Sequence, residues 1–376
     1  MLKIQFATIR EFFVFVLLFI FLLSCNRRTP QTGIEEFVAD SIEQLKLQDS
    51  IDLAKRDSAE NFFPLIKYSK IKIESRTELN EILNRFKNED KSFDNLKILR
   101  TLNRKEIRYL RVGDSILLPD TIIQDIKAYS VFPQYYFEAR NIEKIVVVSN
   151  KMQSYACYEH GELVRFAAVN TGKEKTPTFP GRYSFVWRER LRRSSLDETW
   201  IMPFTINIHN EAGSALHQFA MPGRPVSHSC IRQFFDDAEW IYNWGKMAKR
   251  DSVSFIPFSG TPVIVIDHFD FNRKTYGDWI DLASNKVILE LPKKPMEVEE
   301  ALIPIIQIPK SSRGVLRNRE RYLYAEDTLR ARGVIRDNVQ LTPSVNFNEL
   351  RKQKAKAKQK LEAEKQQNSQ PEPTSN

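Results

Sequence analysis

Cysteine and histidine are scarce in this sequence. The 376-residue chain holds three cysteines and five histidines. It contains neither a C-x-x-C pair nor an H-E-x-x-H motif, and His160, His209, His217, His228 and His268 show no zinc-site spacing, so no metal is expected. Three thiols do not make a disulfide framework, although Cys157 and Cys230 could pair in an oxidising compartment. Long apolar runs are also lacking. The run from Phe12 to Leu23 has twelve residues, short of the roughly 20 that span a bilayer. Charge is not strongly one-sided: 57 basic residues against 48 acidic ones leave +9. That excess suits a soluble protein near an anionic surface and does not select nucleic acid, membrane or wall polymer.

The apolar run has the length of a signal-peptide core, with Lys3 and Arg10 before it. It ends in "LLSC", Leu22 to Cys25, which resembles a bacterial lipobox. That resemblance implies cleavage after residue 24, lipidation of Cys25, and an exported, periplasmic protein anchored in a membrane by its lipid. Residues 25–64 then read as a tether followed by an amphipathic helix over 34–59. Residues 65–120 read as a small mixed unit: a strand at "IKI", a helix at "RTELNEILNRF" with Thr77 near its start, a second helix at "NLKILRTLNR", and a strand in "LRVGDSILLPD". This unit resembles a degenerate LysM-type wall-binding module that lacks the usual opening segment. A generic cap is the alternative.

From residue 144 to 268 the texture becomes that of strands. "KIVVVSN" and "QSYACYEHGELVRFAAVNTG" alternate around a turn at "HGE", and "GRYSFVWRER", "TWIMPFTINIH", "SALHQFA" and "TPVIVIDHF" continue the pattern. "FDDAEWIYNWGKMA" is the exception, a helix that Asp236 or Asp237 could cap. Residues 269–345 form a mixed extension with no evident chemistry. Residues 346–376 are a low-complexity basic tail, read as disordered or as a solvated helix.

Chemistry concentrates in "SHSCIR", Ser227 to Arg232. A thiol is a weak nucleophile until a neighbouring base takes its proton. The Pro- and Gly-shaped loop "PGRPVSHSCIR" can present backbone N–H groups to a developing oxyanion. Singly these signals are weak. Cys157 reads as core, His160 as a solvated turn residue, His209 as a strand-end residue able to line a cleft, and His268 as lacking a partner.

Together, ordered segments resemble the catalytic domain of the L,D-transpeptidases of YkuD type. They are "NTGKEKTPTFPGRYSF", "MPFTI" with "ALHQF", "GRPVSHSCIR", "FDDAEWIYNW" and "SGTPVIVID". The resemblance covers residues 144–268. It implies an α+β fold: a mainly-β catalytic domain, here with a mostly helical N-terminal region. It implies that Cys230 is the nucleophile and His217 the general base that later acts as acid. His228 and Ser227 would shape the site, and the backbone at Ser229 and Cys230 would form the oxyanion hole. Arg232 would orient the loop or meet a substrate carboxylate, or else pair with Asp236 or Asp237. Gly172, Pro177 and Gly181 would form turns. The implied reaction is transfer of a peptidoglycan stem peptide through a Cys thioester with release of D-Ala, without metal or organic cofactor and without nucleic acid. Water as acceptor would give L,D-carboxypeptidase activity.

Ser229 departs from the family pattern, which has glycine before the cysteine, and the interval from His217 to Cys230 is short. Ser229, together with the LysM-like segment, motivates an alternative, a non-catalytic wall-binding lipoprotein with a degenerate site. A sortase-like cysteine transpeptidase fits less well, because its Thr-Cys strand end and distant downstream Arg are not seen.

Overall fold

A computed structural model describes residues 31–87, 95–194, 197–273 and 276–368. Residues 1–30, on which the expected signal segment and Cys25 fall, lie outside the described residues. The chain begins with helix α1 (Gln31–Glu60), which exposes most of its apolar side chains. It touches the body through Asp49 and Asp52, which face Arg140 at 2.7 and 3.4 Å.

A strand–helix–helix–strand unit follows: β1 (Tyr68–Lys72), α2 (Arg76–Arg85), α3 (Leu96–Leu102) and β2 (Ser115–Pro119), with β1 antiparallel to β2. The cap of α2 is Ser75, and Thr77 lies in its first turn. Ser75 Oγ accepts from Glu78 N at 3.1 Å, and the Glu78 carboxylate accepts from Glu74 N at 2.6 Å. This reciprocal arrangement satisfies two otherwise orphaned donors.

Residues 145–265 are built on a nine-stranded mixed sheet, ordered β6-β11-β3-β4-β5-β10-β9-β8-β7. Its strands are β3 (Ile145–Ser149), β4 (Ser154–Glu159), β5 (Glu162–Asn170), β6 (Gly181–Ser184), β7 (Arg188–Arg193), β8 (Ile201–His209), β9 (Ser214–Gln218), β10 (Ile231–Gln233) and β11 (Pro262–Val265). Helix α4 (Phe235–Trp244) follows β10 directly.

Both faces of the central strands are buried, which explains why "IVVV" is continuous rather than alternating. Ile145, Val147, Ala156, Tyr158 and Phe166 pack with the N-terminal unit, including Leu79, Ile98, Leu99 and Ile116. Val146, Val148, Tyr155, Cys157 and Val169 pack on the opposite side with Leu302, Ile303, Ile308, Leu329 and Leu341. Residues 269–345 therefore complete the core of the catalytic sheet. At about 1.5–3 kcal/mol for each fully buried aliphatic side chain, the extension is structural to this domain. It carries helix α5 (Arg319–Ala331), and helix α6 (Phe347–Asn368) follows it.

The capping expectation for α4 fails. Phe234, not an aspartate, occupies the cap position and makes no side-chain cap bond. Asp236 instead meets Lys97 at 2.8 Å and Arg100 at 2.5 Å, both on α3. Asp237 meets Arg165 of β5 at 2.6 Å. Cations distant in sequence, two from α3 and one from β5, recruit the two carboxylates that local pattern assigned to the helix start. Cys157 and Cys230 are both free thiols, so the pairing left open by the sequence does not occur.

Candidate active site

Cys230 precedes the first residue of β10, and β10 runs parallel to β9 with Ile231 beside Leu216 and Arg232 beside His217. Ile231 and Leu216 both point into the core shared with the extension. Side chains alternate along a strand, so Ala215, His217, Cys230 and Arg232 share the other face. Register thus puts the thiol and the imidazole on one surface of adjacent strands.

The imidazole is held in one tautomer. His217 Nδ1 lies 2.9 Å from the Gln218 carbonyl, which can only accept, so Nδ1 carries the proton and Nε2 keeps its lone pair. His217 is 4% exposed. Burial, reinforced by Arg232 and opposed by the Gln218 bond, pulls it down to about 4. It is neutral near pH 7, as a base must be.

Cys230 Sγ lies 3.9 Å from Gly213 O in the β8–β9 turn. Burial raises the thiol above its ordinary value, while the Ala215 N–H and Arg232 draw it partly back. The resting pair is thiol and neutral imidazole.

The loop before Cys230 is tied to the turn after β5. Ser227 N donates to Thr171 O at 3.0 Å, and Ser227 O accepts from Lys173 N at 3.0 Å and Thr176 Oγ1 at 2.9 Å. Ser227 Oγ donates to Cys230 O. Gly172 pairs with Ser227 as an isolated bridge, and a Cβ on Gly172 would overlap Thr176 O. A side chain there would push the two loops apart. Gly181 has another role than turn formation: it opens β6, where Ala301 of the extension crosses too closely for a side chain. Pro177 lines a small cavity with Phe179, Tyr183, Ser214 and Ser229.

Ser229 adopts φ +71°. This is the left-handed conformation that glycine adopts without a Cβ penalty. Its hydroxyl lies 3.0 Å from Ser214 Oγ, and Thr178 Oγ1 donates to its carbonyl at 3.0 Å. Its N–H donates to Thr176 O at 3.0 Å. Of the two backbone donors the resemblance names, that of Ser229 is thus used within the resting loop.

Arg232 makes no ion pair with Asp236 or Asp237 among the described residues. Its Nη1 donates to Ala220 O at 3.2 Å, and its guanidinium lies 4.6 Å from the Phe219 ring. His228 sits between the Trp200 ring at 5.1 Å and the Phe347 ring of α6 at 5.9 Å. Lys173 Nζ donates to its Nε2 at 3.2 Å. Burial, then Lys173, then Arg232 bring His228 down to about 4.

The short segment between His217 and Cys230 is not a free flap. Gly223 N donates to Asn170 Oδ1 at 3.0 Å, and Glu106 N donates to Met221 O at 2.9 Å. Asn170 Nδ2 in turn donates to Arg104 O at 3.1 Å. The N-terminal unit therefore braces the approach to the thiol.

Of the other candidates, His209 is buried. It accepts from Ala212 N at 3.2 Å and faces Tyr322 of the extension at 3.4 Å, so it fixes the turn that carries Gly213. Cys157 lies in the core, with its thiol pushed well up by burial. His160 is exposed at the β4–β5 turn, and exposed His268 borders a separate cavity of about 130 Å³ beside Arg336. Sequence reasoning missed Lys173, Trp200, Ser214 and Phe347. Among the described residues, no group of His, Cys, Asp and Glu could hold a metal ion.

Residues 143–265 match the family model of the YkuD L,D-transpeptidase catalytic domain. No curated protein matches the chain. Similar solved structures include an L,D-transpeptidase from Mycobacterium smegmatis, at 21% identity, 33% of this chain, 59% of that chain and TM-score 0.27. L,D-transpeptidase 3 from Mycobacterium tuberculosis, in complex with a faropenem-derived adduct, matches at 22% identity over 33% and 60% with TM-score 0.26. Residues 123–326 of an L,D-transpeptidase from Xylanimonas cellulosilytica match at 17% identity over 54% and 98% with TM-score 0.32. The chain spans 59% of the first of these relatives. By the family match, the chain carries over residues 143–265 a YkuD-type L,D-transpeptidase catalytic domain.

Proposed function

We propose that this protein is a cysteine-dependent peptidoglycan L,D-transpeptidase. The observation that carries the reading is the register of β9 and β10, which gives His217, with a free Nε2, the same face as Cys230. In the first step the thiol proton passes to His217 Nε2 as Sγ bonds to the carbonyl carbon between the L-centre and D-Ala of a tetrapeptide stem. The resulting oxyanion is met by Cys230 N–H, now that Ser229 N–H is committed to Thr176 O. The C–N bond then breaks, D-Ala leaves with the proton from His217, and a thioester remains. In the second step the amine of another stem attacks, gives a proton to His217, and displaces the Cys230 thiolate, which recovers that proton. Water in place of the amine yields the carboxypeptidase product. His228 and Ser227 act by holding the loop.

The alternative of a wall-binding protein with a spent site rested on the LysM-like segment and on Ser229. Its left-handed backbone weakens that motive, since the loop keeps the conformation a glycine would supply. The LysM-like reading of residues 65–120 and lipid anchoring through Cys25 remain part of this proposal. Labelling cells with a fatty-acid probe tests the anchor: wild type carries label and Cys25→Ala does not.

The reaction is tested by incubating the protein with disaccharide-tetrapeptide and separating the muropeptides. A cross-linked dimer with one D-Ala released per bond supports transfer, and a tripeptide supports hydrolysis. Unchanged tetrapeptide contradicts both.

A further inference from the structure

His217 keeps its proton on Nδ1 because the Gln218 carbonyl is aimed at that nitrogen. Whatever fixes the chain just after Gln218 therefore fixes the base. β9 ends at Gln218, and residues 219–224 lead from it toward the Cys230 loop. This segment is gripped from two sides. On the side of the sheet, Phe219 N donates to Gln233 O at 3.3 Å and Arg232 Nη1 donates to Ala220 O at 3.2 Å. On the other side stands Glu106 of the N-terminal unit, between α3 and β2. Glu106 N donates to Met221 O at 2.9 Å, and Met221 N donates to Glu106 Oε1 at 3.2 Å. One residue thus takes both backbone polar groups of Met221.

The grip is built in advance. Met221 is fully buried with Ala168 and Phe234, so its backbone groups need protein partners. Lys105, the neighbour of Glu106, pairs with Pro222 in an isolated antiparallel bridge. Gly223 has φ +87°, and a Cβ there would meet the Lys105 side chain at 3.1 Å. Lys105 is itself anchored, since its ammonium meets Asp114 Oδ2 at 2.6 Å in a buried ion pair. Asp114 is the aspartate of "LRVGDSILLPD", so part of the LysM-like motif is spent on holding Lys105 against the approach to the thiol. The second carboxylate oxygen of Glu106 meets Arg108, whose side chain is exposed, a pairing of small energetic weight.

We propose that Glu106 is a positioning residue for the Cys230 reaction: by holding Met221 it keeps the Gln218 carbonyl on His217 Nδ1 and leaves His217 Nε2 free to take the thiol proton. The kinetic consequence rests on the transpeptidase reading of the site, whereas the hold on the imidazole does not. Residues 65–120 thereby supply a fixed wall of the reaction site in addition to their LysM-like reading.

The experiment uses the full chain with labelled histidine. Nitrogen NMR separates protonated from bare ring nitrogens, and the His217 signals are assigned by their loss in His217→Gln. Wild type should show Nδ1 protonated and Nε2 bare. Glu106→Ala should show signals averaged between two tautomers, and its single-turnover rate of thioester formation should fall about tenfold or more with little change in KM. Glu106→Gln keeps the acceptor for Met221 N, gives up only the Arg108 pairing, and should behave as wild type in both readouts. Glu106→Asp keeps the charge on a shorter arm, should move both readouts in the direction of alanine, and serves in its place if the alanine variant does not fold. Ser75→Ala removes the α2 cap and weakens the same unit elsewhere; it should leave both readouts unchanged. A wild-type imidazole protonated on Nε2, an unaltered tautomer or rate in Glu106→Ala and Glu106→Asp, or an equal loss in Glu106→Gln or Ser75→Ala would each overturn the proposal. If wild type shows the expected tautomer yet forms no thioester, the transpeptidase reading fails, and the nitrogen signals of the Glu106 variants still decide the hold on His217.

Discussion

Ser229 is the residue at which the structure makes its sharpest quantitative statement. Its φ of +71° costs a non-glycine residue about 1–2 kcal/mol. Against that cost stands the hydroxyl contact with Ser214 at 3.0 Å, with a net value of about 1 kcal/mol. Ser229→Gly releases the strain, loses the contact, and adds about 0.4–1 kcal/mol of unfolded-chain freedom. These terms nearly cancel, so Ser229→Gly should lie within about 1 kcal/mol of wild type. Ser229→Ala keeps the strain and loses only the contact, and should cost about 1 kcal/mol. Glycine should therefore be at least as stable as alanine here, which reverses the usual order within regular structure. Urea unfolding, compared at constant m, measures the difference, and thioester formation should persist in Ser229→Gly because the loop keeps its shape. A glycine variant more than about 2 kcal/mol less stable than the alanine variant would refute the strain argument.

Three further outcomes follow from buried charges. Burial raises the Cys230 thiol and leaves His217 neutral, so alkylation by a small neutral reagent should keep accelerating beyond pH 9. A plateau near neutrality would indicate a preformed thiolate–imidazolium pair and contradict this resting state. The His217 value of about 4 places the acid limb of kcat/KM near pH 4 rather than at the ordinary imidazole value, because protonation of the buried base removes it from the reaction. Arg165→Met strands Asp237, which is 1% exposed and already raised by burial, and should cost about 3 kcal/mol. Adding Asp237→Asn should recover at least half of that loss, and a single-variant cost under about 1 kcal/mol would contradict the pairing.

The catalytic sheet was legible because its strands carry β-branched residues in runs that need no distant information. Cys230 and His217 were legible from the ordered segments around "SHSCIR", and strand register then supplied what spacing alone lacks, a common face. The roles of Asp236 and Asp237 were not legible. Local pattern favours a helix cap, but Lys97, Arg100 and Arg165 come from elsewhere in the chain and outcompete it. The extension read as featureless because Leu302, Ile303, Ile308 and Leu341 follow no helical or strand period. They are buried by crossing the sheet rather than by joining an element. Nothing local marks Lys173, since its partner His228 lies 55 residues away. The left-handed backbone at Ser229 was anticipated in kind, through the glycine it replaces, while the commitment of its N–H to Thr176 required three dimensions.

The central claim is that Cys230 carries the acyl group. Intact-mass analysis after brief incubation with a tetrapeptide donor, followed by peptide mapping, tests it most directly. The account predicts an adduct equal to the donor less D-Ala, located on Cys230, labile to hydroxylamine, and missing in Cys230→Ala. An unmodified wild-type protein that nevertheless releases D-Ala, or an adduct that survives in Cys230→Ala, would contradict it.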